Sequence, residues 1–121
     1  MIVLEIPEAT PSLNPMLGQF WAKRVKDRKR WRWLVRAARL QAKFFPLVPL
    51  PRARITIVRH GRRMLDTDNL YGGTKMLTDS LVKEGIVIDD SPCHLELLVT
   101  QQVTRFPKTI IRIEALGVEI A

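Results

Sequence analysis

The chain contains a single cysteine, Cys93, which excludes an internal disulfide and any zinc site built from paired thiolates. The fold therefore comes from apolar burial alone and suits a reducing compartment. No apolar run approaches the roughly 18 residues that a membrane-crossing helix requires. The start Met1-Ile2-Val3-Leu4-Glu5 also lacks the charged-then-apolar order of a secretory leader. A cytoplasmic protein with no membrane partner is expected. Histidine is nearly as scarce. His60 and His94 stand in no HxxxH or HExxH spacing, so a histidine-ligated metal centre finds no support, and the adjacency of Cys93 and His94 is no argument for a nucleophile pair. Gly72-Gly73-Thr74-Lys75 lacks the remainder of the GxxxxGK(S/T) phosphate loop.

Acids are outnumbered as well. Twenty Lys and Arg face twelve Asp and Glu, a formal charge of +8 with an isoelectric point near 10.4. Such a chain is drawn to polyanions, because each neutralised phosphate releases condensed counterions. Nucleic acid is the expected partner. An anionic membrane surface is the competing one, but surface helices of that kind present an apolar face with no protein core to cover.

What is present is an ordinary globular composition, 46% apolar over 121 residues, the size of one domain spanning residues 1–121. Ile2 to Ile6 reads as a first strand, ended by Pro7 and the loop Pro11-Ser12-Leu13-Asn14-Pro15. From about Phe20 to Phe45 the spacing turns helical: Trp31, Leu34, Val35 and Ala38 share one stripe, with Trp33, Ala37, Leu40 and Phe44 alongside. A long helix with a broad buried face is expected. Two of its three tryptophans lie on those stripes, so core packing outweighs base stacking for them.

That helix carries half of all the basic residues. Lys23, Arg24, Lys26, Arg28, Lys29, Arg30, Arg32, Arg36, Arg39 and Lys43 face a single acid, Asp27. Arg28, Lys29, Arg32, Arg36, Arg39 and Lys43 form a stripe about 22 Å long at 1.5 Å rise per residue, long enough to follow several phosphates. A merely solvated face is the plainer alternative, but such faces normally mix signs for i, i+4 pairing. DNA contact is expected there and at Arg62 and Arg63 in a later polar loop.

Prolines 46, 49 and 51 stop the helix. A second strand begins at Ala53, where Ala53, Ile55 and Ile57 alternate with Arg54, Thr56 and Val58. A second helix is expected over roughly Leu70 to Glu84, capped by Asp68 or Asn69 and closed by Gly85. Ile86 to Ile88 reads as a short extended piece. Two strands follow, Leu95 to Val103 and Thr109 to Val118, expected as an antiparallel hairpin around Arg105-Phe106-Pro107-Lys108. The sum is an α/β (α+β) domain with a mixed sheet of about four strands and two main helices.

Five of the six aspartates fall between residues 66 and 90. Asp66 and Asp68 are two apart, so an extended segment would point both to one side. Two ionised carboxylates about 4 Å apart repel by about 4 kcal/mol at an effective dielectric of 20, a cost that a shared cation relieves. A third acid from Asp89 or Asp90 would complete an oxygen site for a hard ion such as magnesium. Taken singly, each is an ordinary cap or turn residue. Taken together in a basic chain, they point to metal-assisted phosphodiester hydrolysis.

The pattern Asp66-x-Asp68-Asn69-Leu70, then Lys75-x3-Asp79-x-Leu81-x3-Gly85-x3-Asp89-Asp90, resembles the signature of the RusA-like Holliday-junction endonucleases. The loop Pro11-Ser12-Leu13-Asn14 is similar to that family's amino-terminal motif. The resemblance implies a homodimer on four-way DNA junctions that makes paired nicks with magnesium or manganese. It also implies Asp66, Asp68 and Asp90 as catalytic metal ligands, with Asp89 as the alternative to Asp90, and Lys75 as a catalytic lysine. The family's lysine follows the second aspartate by four residues, whereas here it follows by seven, a rise of about 10.5 Å on a continuous helix. Gly72-Gly73 can instead break the helix and restore the contact.

Overall fold

The computed structural model describes residues 1–13 and 21–117. Asn14 and Phe20, both used in the sequence reading, lie outside the described residues, as does Val118 at the expected end of the last strand. The elements run β1 (Ile2–Ile6), α1 (Trp21–Ala42), β2 (Ala53–Gly61), α2 (Thr67–Gly72), α3 (Lys75–Lys83), β3 (Leu95–Val103) and β4 (Lys108–Ala115). They form a single α+β domain with one mixed four-stranded sheet, as expected.

The sheet order is β1-β4-β2-β3. β2 runs parallel to β3 and antiparallel to β4, and β1 pairs antiparallel with β4. The expected β3–β4 hairpin is therefore not formed, since β2 lies between the two strands. Residues 104–107 carry the chain across it. Two strand spacings amount to about 9.6 Å, and four residues reach that far comfortably at about 3.3 Å each. β2 takes one of the two inner places, and of the four strands it buries the most residues, with Ala53, Ile55, Ile57 and Val58 all buried. One face of the sheet, carrying Leu4, Ile6, Ile55, Ile57, Val99, Ile111 and Ile113, joins Trp31, Val35, Leu77 and Leu81 in a single core. On the opposite face Arg54 bridges its register neighbours Glu96 at 3.0 Å and Glu114 at 3.6 Å.

Only a narrow stripe of α1 is buried, Trp31, Val35 and Ala38. The broad face expected from the periodicity is not used: Trp33 is 63% and Leu40 is 55% exposed. The helix packs chiefly against β1, at the sheet edge, and α3, so a narrow seam suffices to seat it. Its end is set by Lys43, in the left-handed region at φ 55°, with Phe44 N–H bonded to Arg39 O at 3.0 Å.

The second expected helix is two helices, and it starts earlier. Asp66, not Asp68 or Asn69, is the cap of α2, and the Gly72-Gly73 pair separates α2 from α3. The break has a steric reason. A Cβ on Gly73 would lie 1.7 Å from Pro11 O, and one on Gly72 would lie 2.6 Å from the Leu13 side chain. The segment from Pro11 to Leu13 thus crosses directly over the junction. Val87 pairs with Leu50 in a single parallel bridge, which gives the short extended piece its place.

Candidate functional site

The loop entering α2 is pinned to the sheet before the acids begin. Leu65 N–H donates to Gln101 Oε1 at 2.9 Å, and Gln101 Nε2 donates to Leu65 O at 2.8 Å. This two-point clamp fixes the residue preceding Asp66 against β3. One turn later Tyr71 Oη accepts from Val99 N–H at 3.1 Å, satisfying a donor on the open edge of β3 that would otherwise invite strand pairing.

Asp66 then caps α2. It accepts from Asn69 N–H at 2.9 Å and from Asn69 Nδ2 at 3.1 and 3.0 Å. Asn69 Oδ1 in turn accepts from Ser12 Oγ at 3.0 Å, tying the cap to the amino-terminal loop. These donors, the Asn69 backbone foremost, hold the Asp66 carboxyl below its ordinary range, so it is ionised at neutral pH. Asp68 lies in the first turn of the same helix. The pair does not share an extended segment, as the spacing suggested. A capping position and a first-turn position nonetheless bring both carboxylates to one open cleft of about 540 Å³, lined by Leu13, Asp66, Thr67, Asp68 and Asn69.

The helix break turns Lys75 away from the axis of α2 and makes it the first residue of α3. Its Nζ donates to Asp90 Oδ2 at 2.8 Å and pairs with Asp79 Oδ1 at 3.0 Å. Asp90 first, and Asp79 with it, raise the Lys75 pKa above its ordinary value, so the ammonium persists throughout the neutral range. Lys75 and Asp90 line a second cavity of about 390 Å³ together with Leu13, Tyr71, Gly72 and Leu97. Asp89 faces elsewhere. The Ser91 hydroxyl leads the interactions that hold its carboxyl below the usual range, whereas its neighbour Asp90 takes the lysine.

Leu13 belongs to both cavities, so the Asp66–Asp68 group and the Lys75–Asp90 group adjoin across one side chain. Among the described residues, no three Asp, Glu, His or Cys side chains are close enough to share a metal ion. Asp66 and Asp68 form one acidic group, while Asp90 is committed to Lys75 in another. Two carboxylates over an open cleft still fit magnesium, which is commonly held by one or two carboxylates, several waters and substrate phosphate.

The basic stripe on α1 divides into two parts. Arg32 Nε reaches Glu84 Oε2 at 2.7 Å, Arg36 donates to both Glu84 oxygens at 3.0 and 2.9 Å, and Arg39 donates to the Glu84 carbonyl. The Glu84 side chain is only 4% exposed, so three of the arginines expected to meet DNA also lash α1 to the end of α3. Arg28, Lys29 and Lys43 are exposed. Arg36 also lies over the exposed Trp33 ring, 5.9 Å from its centroid.

Arg62 and Arg63 are exposed, and they line a cavity with Arg59, a strand residue that no motif marked. Gln101 and Ser12 were likewise not assigned roles. Ser12 stood in a quoted motif, whereas Gln101 carried no signal beyond being polar within a strand. No family model matches the sequence, and no curated protein matches it.

Proposed function

We propose that the protein is a metal-dependent endodeoxyribonuclease acting on branched DNA, with Asp66 and Asp68 as the carboxylates that hold a magnesium or manganese ion. The observation that carries this reading is the placing of both acids on one open cleft, beside a lysine held protonated by Asp90 and Asp79. Bound there, the ion would lower the pKa of a water and offset charge building on the phosphodiester.

The remaining work falls to the chain's own side chains. Asp66 stays ionised through Asn69, so it needs no deprotonation before it binds a cation. The Lys75 ammonium, positioned from the far side of Leu13, suits a non-bridging phosphate oxygen and balances the negative charge of the developing transition state. Asp90 and Asp79 orient that ammonium. The net charge of +8 supplies the long-range attraction for DNA. A four-way junction as substrate, a homodimer and paired nicks follow from the sequence resemblance, and a cytoplasmic location accords with them. Among the described residues no helix is long and apolar enough to cross a membrane.

Incubation with a labelled four-way junction and magnesium should yield paired nicks; junctions left intact at saturating protein would refute the proposal. One observation favours a second reading, a DNA-binding protein without catalysis: both Asp66 oxygens already accept hydrogen bonds from Asn69 in capping α2. Calorimetric titration with manganese separates the two. The nuclease takes up the ion and loses it in Asp68→Asn, while a purely structural cap gives no heat in either.

A further inference from the structure

We infer that the cavity at the end of β2, walled by Arg59, Arg62 and Arg63, is a phosphate subsite that grips a backbone phosphate of the DNA strand lying on the Asp66–Asp68 cleft. This rests on the nuclease reading and adds where the strand is held.

The cavity measures about 650 Å³ and is lined by Ser12, Arg59, Gly61, Arg62, Arg63, Met64 and Leu65 among others. Three arginines line it and no acidic residue does. Several other arginines find acids: Arg32 and Arg36 have Glu84, and Arg54 has Glu96 and Glu114. None of these three pairs with a carboxylate among the described residues. Like charges gathered in a concavity repel, and an anion placed between them reverses the sign of that energy. Phosphate oxygens, like those of a carboxylate, match the planar fork of arginine.

Arg59 is also held in place before any ligand arrives. Its Nε donates to Thr10 O at 2.7 Å and its Nη1 to Arg63 O at 3.1 Å, which leaves further N–H donors and a fixed charge. Gly61 provides the room: a Cβ there would stand 2.1 Å from Arg59 Nη1 and 2.6 Å from Cζ. The guanidinium occupies the space that any other residue at position 61 would fill. A preorganised cation loses little side-chain entropy on binding.

The occupant is a strand phosphate because this cavity is contiguous with the acidic cleft. Its wall residue Leu65 immediately precedes Asp66. Its wall residue Ser12 donates to Asn69, the partner of Asp66. Ser12 spends its proton on that bond, so it joins the two sites and leaves the anion to the arginines. With Arg32, Arg36 and Arg39 engaged on Glu84, these three arginines are a concentrated set of cations without acidic partners beside the cleft.

The test measures binding of a fluorescent four-way junction by anisotropy in EDTA, from 50 to 200 mM salt, so that cutting plays no part. Gly61→Ala keeps every charge but displaces the Arg59 guanidinium. It should weaken binding about tenfold, the worth of one charged hydrogen bond, and lower the log-log salt slope by about one. The double variant Arg62→Gln/Arg63→Gln should lower the slope by about two, while Lys83→Gln, on the exposed end of α3, should weaken binding far less. Circular dichroism checks that each variant folds, and the exposed Arg62 and Arg63 keep the test decisive if Gly61→Ala does not. Wild-type affinity in the folded double variant overturns the subsite, as does an equal loss in Lys83→Gln. Calorimetry with inorganic phosphate alone supplies the other arm: binding as tight as that of the junction assigns the cavity to free phosphate and overturns the strand subsite. Cleavage is read separately with magnesium. Arginine-dependent binding without nicks would refute the nuclease and leave the subsite standing, and nicking with unchanged binding would do the reverse.

Discussion

Lys75 Nζ stands 2.8 Å from Asp90 Oδ2, joining the first residue of α3 to a loop fifteen positions later in the chain. Asp79, one turn along the same helix, completes the grip at 3.0 Å. The lysine side chain is 62% exposed, so water screens both pairs and their worth to folding is at most about 1 kcal/mol. An arrangement that contributes so little stability yet fixes a cation at a cavity invites a functional test. Lys75→Met should leave the urea midpoint nearly unchanged while abolishing junction cleavage. A loss of several kcal/mol with retained cutting would make the lysine a structural tie.

Asp66 separates capping from chemistry because asparagine caps a helix about as well as aspartate. Asp66→Asn should hold thermal stability within about 0.5 kcal/mol of wild type and lose manganese binding. Asp66→Ala should lose both the ion and about 1 kcal/mol. If Asp66→Asn still binds manganese with wild-type affinity, the acid is only a cap.

Glu84 concentrates the charge that locks α1 to α3. Removing it strands Arg39, whose side chain is 15% exposed, beside the half-exposed Arg32 and Arg36. A fully buried pair broken this way costs about 3–5 kcal/mol; the exposure of two partners lowers the expectation for Glu84→Ala to about 2 kcal/mol. Chemical denaturation measures it.

The same residue sets a pH dependence. Arg36 foremost, then Arg32, holds the folded Glu84 carboxyl below its ordinary range. Above the unfolded-state value the unfolded chain gains no protons relative to the native one, and the stabilisation is complete. As pH falls below about 4.3 toward the lower native value, the unfolded state binds the extra proton and the stabilisation is lost. Glu84→Gln should therefore show a shallower fall in stability with acid than wild type over that window. Parallel curves would mean that Glu84 gains nothing from its arginines.

Gly73→Ala tests the crossing of the amino-terminal loop. The clash, 1.7 Å from Pro11 O, is with backbone, which no rotamer change relieves. Overpacking of this kind costs about 1–3 kcal/mol, and shifting Ser12 and Leu13 should also reduce cleavage. Wild-type stability would show that the loop does not lie where the structure puts it.

Much of this was legible in the residues. Alternation marked β2 because a strand presents every second side chain to one face, and the apolar spacing of Trp31, Val35 and Ala38 marked α1 because a helix returns to its buried seam every three or four residues. The approach of Asp66 to Asp68 could also be read directly, whereas Asp90 joins Lys75 instead, and Gly72-Gly73 offered a break only as the alternative to one continuous helix. The width of the buried face of α1 could not. Trp33 is apolar, yet it stays 63% exposed with Arg36 over its ring.

The sequence by itself determined where the strands and the long helix fall, the strong positive charge, and that Asp66 and Asp68 lie together ahead of the later helical segment, because all of these depend on local spacing and composition. Tertiary structure alone decided that β2 separates β3 from β4, since strand order is a competition among surfaces distant in sequence. It alone brought Arg32, Arg36 and Arg39 onto Glu84 and left Arg59, Arg62 and Arg63 without acidic partners among the described residues. A charge is written in the chain, but its partner is chosen by packing.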